Sequence, residues 1–350
     1  MIRFECDYNE GAHPFVLDAL TSTNYAQTIG YGEDEYCEDA RALIKDICHS
    51  PSAAVHFFVG GTQTNATVIS SLLKPYEGIV AADSGHIAVH ETGAVEAYGH
   101  KVITLPASDG KIDAESVKAL FDSHHQSPAH EHMVKPGAVY ISHPTETGTL
   151  YSKDELSRLY SVCKKLGLYL YIDGARFGYA LGSDANDVRF EDMKELCDLF
   201  YIGGTKCGLL FGEALVIFND SLKKEFRYYI KQHGAMLAKG RLLGIQFSAI
   251  LNDGLYERIC RKAVSLAMKI KSALLSLGVE FTNNSYTNQL FPIFDNDTLA
   301  KLSLKYSFDL GDTVDSDHTS VRICTSWATS EEAVNALIEN ITNCLKEKEI

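Results

Sequence analysis

Short apolar runs alternate along this chain with longer segments of helical pattern, and this alternation limits the possible folds more than any other feature. The runs lie at residues 55–59, 79–82, 101–105, 138–142, 168–173, 199–203 and 214–218. Strands that alternate with helices predict a mostly parallel sheet covered by helices on both faces. We therefore expect an α/β fold built on a mostly parallel, seven-stranded sheet.

The pattern changes near the carboxyl terminus. One long amphipathic segment, two strand-like runs and a closing helix follow one another, at residues 257–277, 289–294, 320–325 and from 331 onward. They predict a smaller α+β domain over residues 254–350, after a large domain over residues 25–253. Residues 1–24 are polar and irregular, and we expect them to pack near the small domain.

Composition narrows the class of function. The 350 residues carry a formal net charge of -14, whereas nucleic acids and anionic membranes attract clustered basic residues. The chain is therefore expected to act on a small molecule, without a nucleic-acid partner.

The polar amino terminus does not resemble a secretory signal, no apolar run reaches the roughly 18–20 residues of a membrane span, and the nine cysteines form no C-x-x-C pair. These features predict a cytoplasmic protein with reduced thiols and no membrane partner.

A glycine pair follows the first predicted strand, where positions 60–65 read Gly-Gly-Thr-Gln-Thr-Asn before a helical stretch. Backbone N–H groups at such a helix start can bind an anion, although an ordinary strand-to-helix turn explains the pattern at least as well. The segment matches neither G-x-x-x-x-G-K-S/T nor G-x-G-x-x-G, which argues against nucleotide triphosphates and dinucleotides.

Two later strands end in groups suited to a cofactor. Asp173 ends one apolar run, and a carboxylate there can keep a pyridinium nitrogen protonated, which makes pyridoxal phosphate an electron sink. The alternative is an aspartate that caps the next turn and pairs with Arg176. Lys206 follows another run among small residues, where partial burial would lower its pKa and favour a Schiff base. An ordinary surface lysine is the alternative.

The histidine-rich segment at residues 124–132 offers several possible metal ligands. A solvated loop between a helix and a strand explains it better, so we predict no metal site.

Taken in order, these motifs resemble the threonine aldolases and β-eliminating lyases of the aspartate-aminotransferase fold, fold type I. The specific part of the resemblance is Asp-Gly-Ala-Arg at 173–176 with Thr-Lys at 205–206, supported by residues 31–34, 61–62, 82–86 and 321–322. The resemblance implies a pyridoxal-phosphate lyase that cleaves L-threonine, L-allo-threonine or a related β-hydroxy amino acid to glycine and an aldehyde.

The resemblance also implies roles for individual residues at the cofactor. Lys206 would form the Schiff base, Asp173 would hold the pyridinium nitrogen, His86 would stack on the ring, and Gly61 and Thr62 would bind the phosphate.

Toward the substrate, the resemblance implies that Arg176 and Arg322 face the carboxylate, that Arg176 also touches the phenolic oxygen, and that His132 lies near the side chain. His86, His132 or a water molecule held by them would be the base for the β-hydroxyl proton. Residues 5–8 and 143–148 depart from the usual Arg-Ser-Asp-Thr and Glu-Asn-Thr-His patterns of the family. Both departures affect the substrate more than the cofactor.

The resemblance further implies an active site completed by a second subunit. Tyr31 would enter the partner's site, and Lys231 and Lys239 would reach the partner's phosphate. A homodimer is the minimum, and a homotetramer also fits.

Three alternatives stay open on the residues. Another pyridoxal-phosphate reaction, a β-elimination or a transamination, would use Asp173 and Lys206 equally well. A catalytically silent protein of the same fold is disfavoured by the intact Lys206, Asp173 and Arg322. A dehydrogenase of the Rossmann type is disfavoured because the first strand has no G-x-G-x-x-G after it.

Overall fold

A computed structural model describes residues 1–347 of the chain. Its strands, in chain order, are β1 (Ile2–Arg3), β2 (Ala54–Phe58), β3 (Glu77–Ala82), β4 (Lys101–Leu105), β5 (Lys135–Ser142), β6 (Tyr169–Asp173), β7 (Leu199–Gly203), β8 (Glu213–Ile217), β9 (Gln289–Leu290), β10 (Ile293–Asp295), β11 (Tyr306–Ser307), β12 (Asp309–Thr313) and β13 (His318–Cys324). The helices are α1 (Pro14–Ser22), α2 (Glu35–Ile47), α3 (Gly61–Leu72), α4 (His86–Val89), α5 (Ala94–Ala97), α6 (Ala114–Gln126), α7 (Lys153–Leu166), α8 (Phe177–Leu181), α9 (Met193–Leu196), α10 (Phe226–Gln232), α11 (Arg241–Leu251), α12 (Leu255–Ser276), α13 (Asn296–Leu302) and α14 (Glu331–Lys346). Short 3-10 helices lie at His130–His132, Phe190–Asp192, Asp220–Leu222 and Asn252–Gly254.

The central sheet has seven strands in the order β2-β8-β7-β6-β5-β3-β4. Strand β8 runs antiparallel to both of its neighbours, and the other neighbouring pairs are parallel. The fold class predicted from the alternating pattern is therefore confirmed. The register brings Ser142 beside Asp173, and Gly203 beside Glu213. One edge of the sheet thus collects the carboxyl ends of the parallel strands and the amino end of β8.

The inner strands are buried on both faces, which explains their nearly continuous apolar sequences. Because side chains alternate along a strand, Leu170 and Ile172 of β6 pack into one core cluster and Tyr171 into the other. The cluster on the second face also contains Tyr140 and Tyr201, which lie fully inside the protein. A buried tyrosine needs a partner for its hydroxyl group, so this face brings polar atoms to the sheet edge.

The smaller antiparallel sheet combines β10, β13, β12 and β9 and packs with α12 and α14. Residues 1–24 divide between the two regions. Strand β1 pairs in parallel with β11, and Phe4 belongs to the apolar core of the small sheet. Helix α1, by contrast, packs against α11 within the range expected for the large domain. The domain boundaries proposed from sequence stay a prediction.

The histidine-rich segment is more ordered than the expected loop. Helix α6 continues through Gln126, so His124 and His125 lie on its last turn, and His132 ends a 3-10 helix. Within residues 1–347, no group of three or more His, Cys, Asp or Glu side chains is arranged to hold a metal ion. The helices of this part of the chain include none with the length and apolarity needed to cross a membrane.

Replacing Leu170 with alanine tests the central core. Leu170 is fully buried in β6, so Leu170→Ala should lower the free energy of unfolding by about 2–5 kcal/mol, as lost burial and a new cavity add together. Urea unfolding of the purified protein measures this change. The matched control is Leu275→Ala on α12, where the leucine is 55% exposed and the change should stay within about 0.5 kcal/mol. Equal effects at both positions would contradict this account of the core.

Candidate active site

A cleft of about 290 Å³ opens at the edge where the parallel strands end. Six residues singled out from sequence line it, namely Gly61, Thr62, His86, Asp173, Arg176 and Lys206. The cleft is also lined by residues that the sequence did not single out for a role, and they include Tyr8, Ser142, Glu146, Tyr201 and Glu213. Ligands of open α/β sheets bind outside the carboxyl ends of the strands, so this cleft is the candidate active site.

Lys206 follows β7 after a tight turn. The hydroxyl group of Tyr179 donates to the Lys206 carbonyl oxygen over 2.6 Å, which holds the backbone in place. Burial, reinforced by the charge of Arg176, keeps the pKa of the Lys206 amine below its ordinary value. A lysine with a lowered pKa has a larger neutral fraction, and the neutral amine is the form that attacks a carbonyl carbon.

Asp173 ends β6 inside a complete set of hydrogen-bond donors. Its Oδ1 accepts from the Tyr201 hydroxyl at 2.6 Å and from the Ala175 amide at 2.9 Å. Its Oδ2 accepts from the Tyr140 hydroxyl at 2.7 Å and from Asn65 Nδ2 at 3.1 Å. Burial alone would raise the pKa of Asp173, but the His86 charge and these bonds hold it below its usual range. Asp173 is therefore a stable anion at the floor of the cleft.

The strand ends that carry these groups approach each other closely. A Cβ atom at Gly174 would lie 1.9 Å from the Tyr201 carbonyl oxygen, so only glycine fits there. A Cβ atom at Gly61 would lie 3.0 Å from the Tyr201 hydroxyl oxygen. Helix α3 begins at this second glycine, and its N-cap, Gly60, makes no side-chain capping bond. The first-turn N–H groups of α3 are thus left for an anion beside the Asp173 network.

Arg176 forms an ion pair with Asp7, an acid to which the sequence had assigned no role. Its Nε and Nη2 donate to the two carboxylate oxygens of Asp7 at 2.7 and 3.0 Å. Asn288, just before β9, also donates to Asp7 Oδ2 at 2.9 Å. Asp7 is fully buried, and its pKa is lowered because the charges of Arg176 and Lys206 outweigh the effect of burial. The amino-terminal segment, the large sheet and the small domain therefore meet at one ion pair.

Glu213 is a second acid to which the sequence had assigned no role in the site. It starts β8, and its carboxylate accepts from Thr205 Oγ1 at 2.8 Å and from the Gly204 amide at 3.1 Å. Burial raises the pKa of Glu213 to about 8, against the opposing effects of the Thr205 bond and the Lys206 charge. These bonds fix the turn that carries Lys206.

His86 is held from two sides at the start of α4. Its Nδ1 lies 2.8 Å from Glu91 Oε1, and its backbone amide donates to Glu146 Oε1 at 2.9 Å. Glu91 also accepts from Asn65 at 2.7 Å, which connects His86 to the Asp173 network. The sequence signal for Glu146 was present, because it belongs to the segment at 143–148 that departs from the family pattern.

The structure does not bring all the expected residues into this cleft. Arg322 is absent from the lining, since its Nη2 bonds Asp309 Oδ2 at 2.7 Å and the Glu5 carbonyl oxygen at 3.1 Å. His132 precedes β5, at the opposite edge of the sheet. Eight residues of strand separate the two edges, or roughly 26 Å at about 3.3 Å per residue. His132 therefore does not lie at the cleft of its own chain, and its role near the substrate stays a prediction.

Tyr31, Lys231 and Lys239 form a separate group outside the cleft. The Lys231 ammonium lies 5.1 Å from the centre of the Tyr31 ring, and the Tyr31 amide donates to the carbonyl oxygen of Ala238, the residue before Lys239. Tyr31 is 48% exposed. These residues contribute nothing to their own cleft in a single chain.

Comparison with known proteins agrees with the fold. The profile of the beta-eliminating lyase family matches residues 18–297. A low specificity L-threonine aldolase from a Pseudomonas species is 30% identical over 97% of this chain and 96% of the relative. The threonine aldolase of Leishmania major is 42% identical, with a TM-score of 0.96 over 99% of this chain and 100% of that chain. Aspartate aminotransferase from Thermus thermophilus, 14% identical, shares the fold alone, with a TM-score of 0.69 over 98% of this chain and 91% of that one.

Fold and cleft together define a lyase of fold type I, whose proteins depend on pyridoxal phosphate. The chain belongs to the beta-eliminating lyase family, together with the threonine aldolases. The predictions of the family, the enzyme class and the cofactor are confirmed. The cleft fits this cofactor, because it combines a buried anion for a protonated ring nitrogen, an uncapped helix start for a phosphate and a lysine with a lowered pKa.

Removing the charge of Asp7 should destabilise the protein. Asp7→Asn leaves Arg176 as a buried cation without its counter-ion, so the free energy of unfolding should fall by about 3–5 kcal/mol in urea titrations. Asp184→Asn is the matched control, because Asp184 is a 97% exposed partner of Arg261. Its loss should cost less than about 1 kcal/mol. A small effect at Asp7 would mean that this ion pair does not hold the three regions together.

Proposed function

We propose that this pyridoxal-phosphate lyase cleaves L-threonine, L-allo-threonine or a related β-hydroxy amino acid to glycine and an aldehyde. The observation that carries the proposal is the presence of Lys206 and ionised Asp173 in one cleft beside the amino end of α3. The printed names of its relatives specify threonine aldolase and favour carbon–carbon bond cleavage over other reactions at the same site. A β-elimination or a transamination is the second candidate, because Asp173 and Lys206 would serve it equally well.

The cofactor would be held by residues at three points of the cleft. Lys206 would bind it covalently, Asp173 would face its ring nitrogen, and Gly61 and Thr62 would bind its phosphate at the start of α3. His86 would cover one face of the ring. When bound, pyridoxal phosphate provides an electron sink for the substrate α-carbon. The charge of Asp173 keeps that sink effective, because an anion stabilises a protonated ring nitrogen.

The substrate carboxylate would be bound by arginine. Arg176 reaches the cleft with its orientation fixed by Asp7, and it would also contact the phenolic oxygen of the cofactor. Arg322 would contribute after exchanging Asp309 for the substrate carboxylate. A carboxylate fixed by these arginines would limit the orientations of the substrate, and orientation would select which bond at Cα is cleaved.

A second copy of the chain would complete the site. Tyr31, Lys231 and Lys239 lie together on the surface, and the positive charges of the two lysines suit a phosphate group in the partner's cleft. His132 would also have to act from a neighbouring subunit if it acts at all. We propose a homodimer at minimum, with a homotetramer as the larger form, in the cytoplasm, where the free cysteine thiols would stay reduced.

Spectroscopy with an acetaldehyde assay tests the cofactor and the reaction together. The purified protein should absorb near roughly 420 nm, respond to glycine and release acetaldehyde from L-threonine and L-allo-threonine. Lys206→Ala should abolish both the band and turnover, and their survival would contradict the central assignment. A band without acetaldehyde would favour elimination or transamination. The absence of a band after reconstitution with pyridoxal phosphate would reject the proposal.

Arg322 can be tested against its own ion-pair partner. Arg322→Ala should raise KM for L-threonine about tenfold or more and leave the cofactor band intact, because a charge-assisted bond of about 1.5–3 kcal/mol to the carboxylate is lost. Asp309→Asn is the matched control, since it breaks the same ion pair but keeps the arginine. It should leave KM unchanged or lower. Loss of the cofactor from Arg322→Ala would mean that Arg322 supports the fold of the site.

A further inference from the structure

We propose that Glu146 is the catalytic residue that takes the proton from the substrate β-hydroxyl group. The inference rests on the proposed function and names a different residue for the step that the family resemblance gave to His86, His132 or a water molecule held by them. Glu146 lines the cleft with Lys206 and Asp173. It lies in the loop between β5 and α7, so its position is set by the end of a central strand.

The two oxygens of the Glu146 carboxyl group have different surroundings. Oε1 accepts from the Ser142 hydroxyl at 2.6 Å and from the His86 amide at 2.9 Å. Both of these bonds reach Oε1, and neither engages Oε2. A carboxyl group that is anchored through one oxygen and presents the other to a cleft is arranged as a general base, because its orientation is fixed and its second oxygen stays available.

The electrostatic surroundings of Glu146 strengthen it as a base. Burial raises the pKa of Glu146, and the negative charge of Asp173 adds to this effect. The bonds from Ser142 and from the His86 amide act in the opposite direction without cancelling the rise. A carboxylate with a raised pKa holds a proton more strongly than an ordinary one, so it is a better base while it remains ionised.

The other candidate bases are less well placed. His132 lies at the far edge of the sheet, and His86 Nδ1 is already bonded to Glu91. If His86 covers one face of the cofactor, Glu146 lies at that same side, because the His86 amide bonds it directly. The Cα–Cβ bond must project from one face of the ring to be cleaved. A hydroxyl group on a carbon that projects toward that side would face the Glu146 carboxylate, which lines the same cleft.

The proposed step balances within the aldol cleavage proposed above. The O–H bond of the β-hydroxyl group breaks, and its proton passes to Glu146 Oε2. The oxygen electron pair forms the carbonyl group of the aldehyde as the Cα–Cβ bond breaks. The electron pair of that bond remains with the Cα fragment, which gains a proton to become glycine. Glu146 loses its proton again before the next turnover, so the enzyme returns to its starting state.

Glu146→Gln separates this role from cofactor binding. In the loaded enzyme, kcat/KM for acetaldehyde release from L-threonine should fall about 10²–10⁴-fold, the usual contribution of a general base. Exchange of the glycine α-proton with deuterated solvent, followed by NMR, involves no hydroxyl group and should stay within about threefold. The cofactor band and its response to glycine should also persist. Glu331→Gln, at an exposed ion pair with Lys269, is the matched control and should behave as wild type in each assay.

The pH dependence of kcat/KM gives an independent readout. It can be measured in the wild type and in Ser142→Ala even if Glu146→Gln does not fold. In the wild type, kcat/KM should fall on the acidic side as Glu146 becomes protonated, and the variant should lose this acid limb. Ser142→Ala removes a bond that lowers the pKa of Glu146, so the acid limb should move to higher pH in that variant.

Three results would overturn the inference. The first is cleavage by Glu146→Gln within about threefold of wild type. The second is an equal loss of glycine exchange and cleavage, which would assign Glu146 to support of the cofactor. The third is an acid limb that does not move in Ser142→Ala. Failure of the wild type to release acetaldehyde would instead reject the proposed function, and the inference would fall with it.

Discussion

The buried carboxylate of Asp173 is the constraint on which the rest of the site depends. A charge removed from water costs several kcal/mol unless hydrogen bonds replace its hydration. Here the replacement comes from β5, β7, α3 and the turn after β6, through Tyr140, Tyr201, Asn65 and the Ala175 amide. Each donor reaches the carboxylate only if the strand register and the position of α3 are correct. The arrangement of the sheet and α3 thus provides the hydrogen bonds that replace the hydration of this one anion.

The pKa values of the buried acids at and beside the cleft are shifted in different directions. Asp7 and Asp173 face strong donors or cations, and their pKa values are lowered. Glu146 and Glu213 have weaker compensation, and their pKa values are raised. Environments that push similar groups apart in pKa allow one site to contain permanent anions and proton carriers at the same pH. This separation supports Asp173 as an electrostatic partner of the cofactor and Glu146 as a base.

Much of the fold and part of the site were predictable from sequence. The apolar runs corresponded to the seven strands because strands buried on both faces must be apolar at nearly every position. Polar residues at the ends of those runs, such as Asp173 and Lys206, were predictable because parallel strands end at one edge. Glu213 was missed because it starts its strand, and only the antiparallel orientation of β8 brings that end to the cleft. The position of His132 before β5 was not predictable, because a resemblance in sequence position does not specify which sheet edge a loop occupies.

The sequence by itself therefore determined the fold class, the family and the cofactor, since these follow from local patterns of a few residues each. Only the tertiary structure decided the partners of those residues. Asp7 lies 169 positions before Arg176, and Asn288 lies 281 positions after Asp7, yet the three side chains share hydrogen bonds. Arg322 is paired with Asp309, and the Glu146 carboxylate is held by Ser142. Such pairings depend on how distant segments pack together, and no local pattern records that distance.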